Sequence, residues 1–277
     1  MQSENNYYKE SGVIGLRGWA TMITAGALGT IVLGGIYGYA ILYVPSVYLR
    51  IIITAFLGGL TGALVVFSGE FGNIRNKWAC RVYGLVFGLF AVYFGWISWI
   101  FAYSNQETLA LMPAEILDIL QYLSKQGIWS LHGMTPRGIE LYIVWGIEAA
   151  MIAGLSLFVA WAFSESDPFC EPCNAWATGI HVVTSQEPIN DPIELKKRLE
   201  QGNIAILNSL NRIDSESEPH TSIVIRHCNT CNESNYLTVN AVTTNLDKDG
   251  KEIKVSKPIL KNLRITTEQF KIIKDHS

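Results

Sequence analysis

LYIVWGIEAAMIAGLSLFVAWAFSESDPFCEPC, residues 141–173, joins the two kinds of structure from which this chain is built. Its first 23 residues, 141–163, contain a single Asp, Glu, Lys or Arg, namely Glu148. A helix of roughly 20 such residues crosses a bilayer core, so 141–163 reads as a membrane span. Seven residues beyond its end comes Cys170-Glu171-Pro172-Cys173, half of a candidate metal site. The segment leaves a membrane and at once begins a second domain.

Outward from this stretch the charges divide the same way. Residues 1–164 carry 8 Lys/Arg and 8 Asp/Glu, and 165–277 carry 13 and 16. An apolar half is thus joined to a slightly acidic, ordinary globular half. No basic excess points to nucleic acid as a partner. Upstream, residues 1–18 are polar, and 19–44 form an apolar run of 26 residues. That run is much longer than the apolar core of a secretory signal and lacks a small-residue cleavage site, so it reads as an uncleaved first span. Pro45 and Ser46 interrupt it, the second span follows at 51–67 and the third at 82–102. So short a connection makes the first two spans an antiparallel hairpin. Trp19, Tyr43, Tyr48, Trp78, Trp99, Tyr103, Tyr142 and Trp161 sit near span ends, where a membrane interface favours aromatic rings.

Lysine and arginine set the orientation. With the N-terminus in the cytoplasm, the inner segments hold Lys9, Arg17, Arg75, Lys77 and Arg81, and the outer ones hold Arg50, Lys125 and Arg137. The bias is five to three. It places the cysteine-bearing half inside, where thiols stay reduced. Between spans three and four, Pro113 and Gly127 bracket Ile116, Leu117, Leu120 and Leu123 at helical spacing. An amphipathic outer helix over about residues 113–126 fits, packed on the bundle or lying on the membrane surface.

The half from 165 to 277 alternates element types. Strands are expected at 179–184, 221–226, 235–244 and 251–255, with a helix from Asp191 to about Leu210 and another at 267–274. The expected architecture is therefore a membrane α-helical four-helix bundle, residues 19–164, followed by a small α+β, zinc-ribbon-like cytoplasmic domain. Within that domain Cys170-x-x-Cys173 and Cys228-x-x-Cys231 supply four thiolates in two tight turns, the ligand set of a tetrahedral structural Zn²⁺ site, with iron in the same ligands or redox dithiol chemistry as the alternatives. Each pair is followed by asparagine, which tolerates the left-handed backbone such a turn needs. The 54 residues between the pairs exceed the roughly 15–20 of a compact zinc ribbon, so the site has to close around an inserted helix. His227, beside Cys228, is a further candidate ligand.

Small residues repeat at four-residue spacing in every span: Gly34 and Gly38, Gly58 and Gly62, Gly84 and Gly88, and Gly146-x₃-Ala150-x₃-Gly154. Such faces let helices approach closely where no hydrophobic force drives them together, and a face left over serves a homodimer. Glu148 lies about 10 Å along its helix from Leu141, a depth at which a carboxylate is protonated, paired or facing water. His132 and Arg137 are its candidate outer partners.

Enzyme motifs are scarce. HExxH, a Walker-type loop and paired intramembrane aspartates are all missing. Gly154-Leu155-Ser156-Leu157 distantly resembles the Gly-x-Ser-Gly motif of rhomboid proteases, but its last glycine is absent and no span contains a histidine.

Tyr8-Lys9, Ser11-Gly12, Tyr43-Val44-Pro45, Gly72, Arg75-Asn76, Trp145 with Glu148, and Cys170 to Cys173 together resemble an uncharacterised family of bacterial four-span membrane proteins with a C-terminal CxxC…CxxC domain. The resemblance implies the bacterial inner membrane and no catalytic residues. The expected function is a non-catalytic scaffold or sensor whose cytoplasmic domain binds a protein partner. The alternatives are a small ion- or proton-coupled transporter or channel using Glu148, and an intramembrane enzyme around His132, Glu140 and Glu148.

Overall fold

The computed structural model describes residues 6–128, 135–164, 167–213, 219–231, 233–246 and 252–275. It divides into two units, 11–166 and a second made of 1–10 with 167–277. In the first, four long helices carry the apolar runs: α1 Leu16–Tyr43, α2 Val47–Phe71, α3 Lys77–Tyr103 and α5 Ile139–Phe163, with the shorter α4 at Pro113–Gln126. Val44 is extended, as the residue before Pro45 must be, and α1 stops there. Asn76 starts α3 by accepting a hydrogen bond from the Ala79 N–H at 3.0 Å. Each long helix is long and apolar enough to cross a membrane, which supports a multi-pass membrane protein. Their exposed side chains agree: Leu28, Ile36, Phe56, Phe67 and Ile147 are all more than 60% exposed. An apolar surface repeated on every helix is tolerable in lipid and a liability in water.

Glycines set the helix contacts. α1 and α5 each pack on α2 and α3. A Cβ on Gly38 would fall 2.5 Å from the Trp99 nitrogen, and one on Gly34 2.8 Å from the Phe94 Cβ, so α1 meets α3 backbone to backbone. Gly58 and Gly62 bring α2 equally close to the Ile152 and Ser156 carbonyl oxygens of α5, each 2.7 Å from such a Cβ. Gly84 and Gly88 do the same for α3, against Ala160 and Ala153. Hydrogen bonds lock the pairs: Ser98 Oγ donates to Gly35 O and Ser156 Oγ to Gly84 O, both at 2.7 Å. Ser156 is thus a packing residue.

The fourth small face is a correction. Nothing lies within 4 Å of a Cβ built on Gly146 or Gly154. α5 instead turns Ile152, Ala153, Ser156 and Ala160 inward, a stripe displaced around the helix from the glycines. Two further expectations shift. Trp99 is only 9% exposed and belongs to the core rather than to the interfacial belt. α4 buries Ile116, Leu120 and Leu123 in a cluster with Ile97 and Ile100 of α3, but Leu117, on the flank of that stripe, is 64% exposed.

The second unit is a four-stranded antiparallel sheet in the order β3-β4-β5-β6: Gly179–Gln186, His220–His227, Asn235–Leu246 and Glu252–Ile265. β1 (Phe169–Cys170) and β2 (Ala175–Trp176) form a separate two-stranded hairpin. α6 (Pro192–Glu200), a 3₁₀ turn at Ile204–Ser209 and α7 (Thr267–Lys274) supply the rest. Alternate strand residues Ile223, Ile225, Leu237 and Val239 meet Leu195, Leu199, Leu207 and Phe270 in one core.

The helix expected to reach Leu210 ends at Glu200, because Gly202 turns the chain at φ +87°. β6 runs ten residues past the expected end at 255, through Pro258, which an edge strand tolerates. The β5–β6 turn, 247–251, lies outside the described residues.

The N-terminal segment, read as a polar tail, joins this sheet. Tyr7 bridges to Leu263 beside β6, the Tyr8 N–H donates to Asn262 O at 2.9 Å, and Tyr7 Oη donates to Glu200 at 2.7 Å.

Candidate functional site

The four cysteines meet where turns meet. Cys170 ends β1, and the chain reverses through Glu171-Pro172-Cys173-Asn174 into β2, with Asn174 at φ +47° as a left-handed turn requires. Asn232, its counterpart, lies outside the described residues. Cys228 to Cys231 form the connection from β4 to β5, closed by the Cys228 N–H donating to Ser234 O at 3.1 Å. β3 starts just after the first turn, and its Gly179 pairs with His227 at the end of β4. Strand pairing therefore brings the two turns together, and the helix between them in sequence is an insertion from β3 to β4.

Gly179 has no room for a side chain: a Cβ there would fall 2.5 Å from His227 Nε2. Asn229, in the second turn, donates to Thr178 Oγ1 at 3.2 Å and ties the turns from the other side.

All four sulfurs lie within 4.8 Å of one another, and Cys170 Sγ is 3.6 Å from Cys231 Sγ. Four thiolates at the usual zinc distance from one ion stand about 3.8 Å apart, so the cluster is compatible with a metal site. Cys170 and Cys228 are buried, and Cys173 and Cys231 half-buried. Polar hydrogens point at the sulfurs: Ser234 Oγ donates to Cys170 at 3.2 Å and the Glu233 N–H to Cys231 at 3.5 Å.

The electrostatics match. Burial opposes ionisation of Cys228, but the N–H groups of Cys231 and Thr230, with neighbouring thiols, outweigh it and hold its pKa at about 6. Cys231 is also lowered, chiefly by the Glu233 N–H. Cys173 is pushed up to about 12, first by its hydrogen bond with Cys231 and then by burial, and burial raises Cys170. The N–H groups around the second pair thus favour its ionisation, while burial and thiol–thiol hydrogen bonds oppose ionisation of the first. A divalent cation at the centre lets all four ionise.

His227 is outside this group; its ring stacks on Phe270 at 5.2 Å. Cys80 is buried on α3 in the helical unit and is outside it too.

Glu148 occupies a different setting. It lines a cavity of about 460 Å³ between α1, α2, α3 and α5, together with Arg50, Tyr37, Thr54, Trp96 and Trp145. Arg50, counted from the sequence only as a charge near a span end, sits in the first turn of α2 and is the cation whose field reaches Glu148. Its signal was in the sequence as a lone arginine beside a hairpin turn, but nothing local tied it to a residue 98 positions away. Arg137 is exposed and does not line the cavity. His132 lies outside the described residues. Glu140 is exposed in the first turn of α5.

No family model matches the chain, and neither does any curated protein or any solved structure. What stands is coarser than the resemblance: four apolar helices and a domain with four clustered cysteines.

Proposed function

We propose that the chain is a multi-pass protein of the bacterial cytoplasmic membrane, both termini inside, whose four-cysteine domain holds a structural zinc ion and docks a cytoplasmic protein partner without catalysing a reaction. The convergence of the four sulfurs on one point carries this reading. A tetrahedral set of four thiolates leaves no position for a reacting water, so the ion staples the fold. A reducing compartment keeps such thiols available to it. Orientation draws support from the Lys/Arg bias and from Tyr7 and Tyr8, which bond to the C-terminal sheet and so require an even number of crossings. For docking, edge strand β3 presents Ile180 and Val182, 55% and 48% exposed.

Crosslinked co-purification from native membranes with metal analysis tests the reading. The expected result is one zinc per chain and a specific cytoplasmic protein. The Cys170→Ser/Cys173→Ser variant should lose the metal and unfold the domain, since binding and folding are coupled. A folded, metal-free variant domain overturns the structural role, and one iron per chain overturns the choice of zinc.

The cavity favours a second reading, a transporter or channel using Glu148. Loss of flux in Glu148→Gln proteoliposomes with partner binding intact would select it.

A further inference from the structure

A carboxyl and a guanidinium line one apolar cavity with no ion pair between them. Among the described residues Glu148 makes no hydrogen bond or ion pair, and Arg50 uses only Nε, donating to Val44 O at 2.8 Å. In a wall of aliphatic and aromatic side chains each unpaired charge is costly, and the cost falls most when both are met at once. A cation alone would satisfy Glu148 and face Arg50, and an anion alone would do the reverse. A ligand of zero net charge carrying both signs satisfies each without leaving a net charge in hydrocarbon.

The rings add polarity. Trp145 packs edge to face on Trp96 with centroids 5.2 Å apart, and both line the cavity together with Glu148; aromatic rings in such a wall attract an ammonium group. The remaining wall, Ile41, Ile51, Val144 and Ile147 among it, suits a carbon chain. The volume is that of a small-molecule site.

We propose that this cavity binds a zwitterion, its ammonium group held by Glu148 and the Trp96 and Trp145 rings and its anionic group by Arg50. The inference rests on the same cavity as the transport reading and adds the ligand's chemistry to it.

The test uses the full chain in a neutral maltoside detergent and three probes of equal tail length: dodecylphosphocholine, dodecyltrimethylammonium and methyl dodecyl phosphate, a diester of single negative charge. Binding is read by displacement of a brominated dodecylphosphocholine that quenches tryptophan fluorescence, with Trp96→Phe/Trp145→Phe marking the quenching that belongs to the cavity. The zwitterion should bind at least about tenfold tighter than either singly charged probe, the worth of one charge-assisted contact. Glu148→Gln should erase the preference over methyl dodecyl phosphate, and Arg50→Gln the preference over dodecyltrimethylammonium.

Arg50 also holds the end of α1, so if its variant does not fold, the wild-type ranking and Glu148→Gln decide. Equal binding of all three probes, tighter binding of a singly charged one, or a preference untouched by Glu148→Gln overturns the proposal. Tail-free glycerophosphocholine binding as well as the dodecyl probe assigns the zwitterion to a soluble solute, and binding only with a tail assigns it to a lipid; both uphold the site. No flux is measured, so transport can fail while this binding stands, and the reverse.

Discussion

The carbonyl oxygens of Ile152 and Ser156 sit where a methyl group on Gly58 or Gly62 would have to go. Backbone cannot swing aside as a side-chain tip can, so Gly58→Val or Gly62→Val has to push α2 off α5. The expected cost is about 1–3 kcal/mol, the range for overpacked cores, read as a lower midpoint in detergent unfolding. Gly154→Ala is the matched control. It meets nothing within 4 Å and removes a flexible residue from a helix, so stability should hold or rise by up to about 1 kcal/mol. Equal losses at both positions would mean that the close face of α5 has been misassigned. Cys228 carries a second prediction at this scale. Its ordinary value is 9.0 and the fold holds it at about 6, so its ionised form favours the folded domain. That contribution is complete above about pH 9 and is lost as pH falls through about 6, where protons also compete with a metal for the sulfur. A bound cation holds the thiolates ionised further still, so metal release on acidification, followed with a colorimetric chelator, should set in below about pH 6. Release already above about pH 6 would show that the fold does not keep the Cys228 thiolate ready for a metal.

Elements differ in how far the sequence announces them. α1, α2, α3 and α5 follow from apolar length alone, because a bilayer-crossing helix has to be that long whatever its neighbours do. The two cysteine turns follow from CxxC spacing, which is local chemistry. What stayed hidden is decided between elements. Which stripe of α5 faces inward depends on α2 and α3, and two equally small stripes compete on that helix. The length of β6 depends on its being an edge strand, where Pro258 costs no ladder bond. The role of Arg50 depends on a helix about a hundred residues downstream. The N-terminal segment is the sharpest case, since Asn6 to Tyr8 reads as polar tail until a sheet edge is there to receive it. Its contribution is measurable. Tyr7→Ala removes a hydrogen bond to Glu200 and the ring under Lys196, whose Nζ lies 5.9 Å from its centroid. Thermal unfolding of the full chain should show the C-terminal unit destabilised by about 1–2 kcal/mol, with the helical unit unchanged. No change would assign the segment a passive place on the edge.

At the scale of the whole molecule the same segment constrains topology. Tyr7 and Tyr8 belong to the sheet formed by residues after 167, yet the four apolar helices lie between them in the chain. A sheet cannot be assembled from strands on opposite sides of a bilayer, because unpaired backbone groups do not cross hydrocarbon. Any membrane arrangement therefore brings both ends of the helical unit to one face, which four crossings achieve and three or five do not. In the proposed orientation that face is the cytoplasmic one, the choice for which Lys9, Arg17, Arg75, Lys77 and Arg81 give support. The connection from α3 to α4, Ser104 to Met112, then falls on the opposite side. A cysteine introduced at Thr108, exposed in that connection, should react with a membrane-impermeant maleimide in intact bacterial cells. One introduced at Lys197 on α6, also exposed, should react only after the cells are opened. Labelling of both in intact cells would break the link between the N-terminal segment and the sheet, and the reverse pattern would keep the four crossings but turn the molecule over, placing the thiols in the oxidising compartment where a zinc staple is least expected.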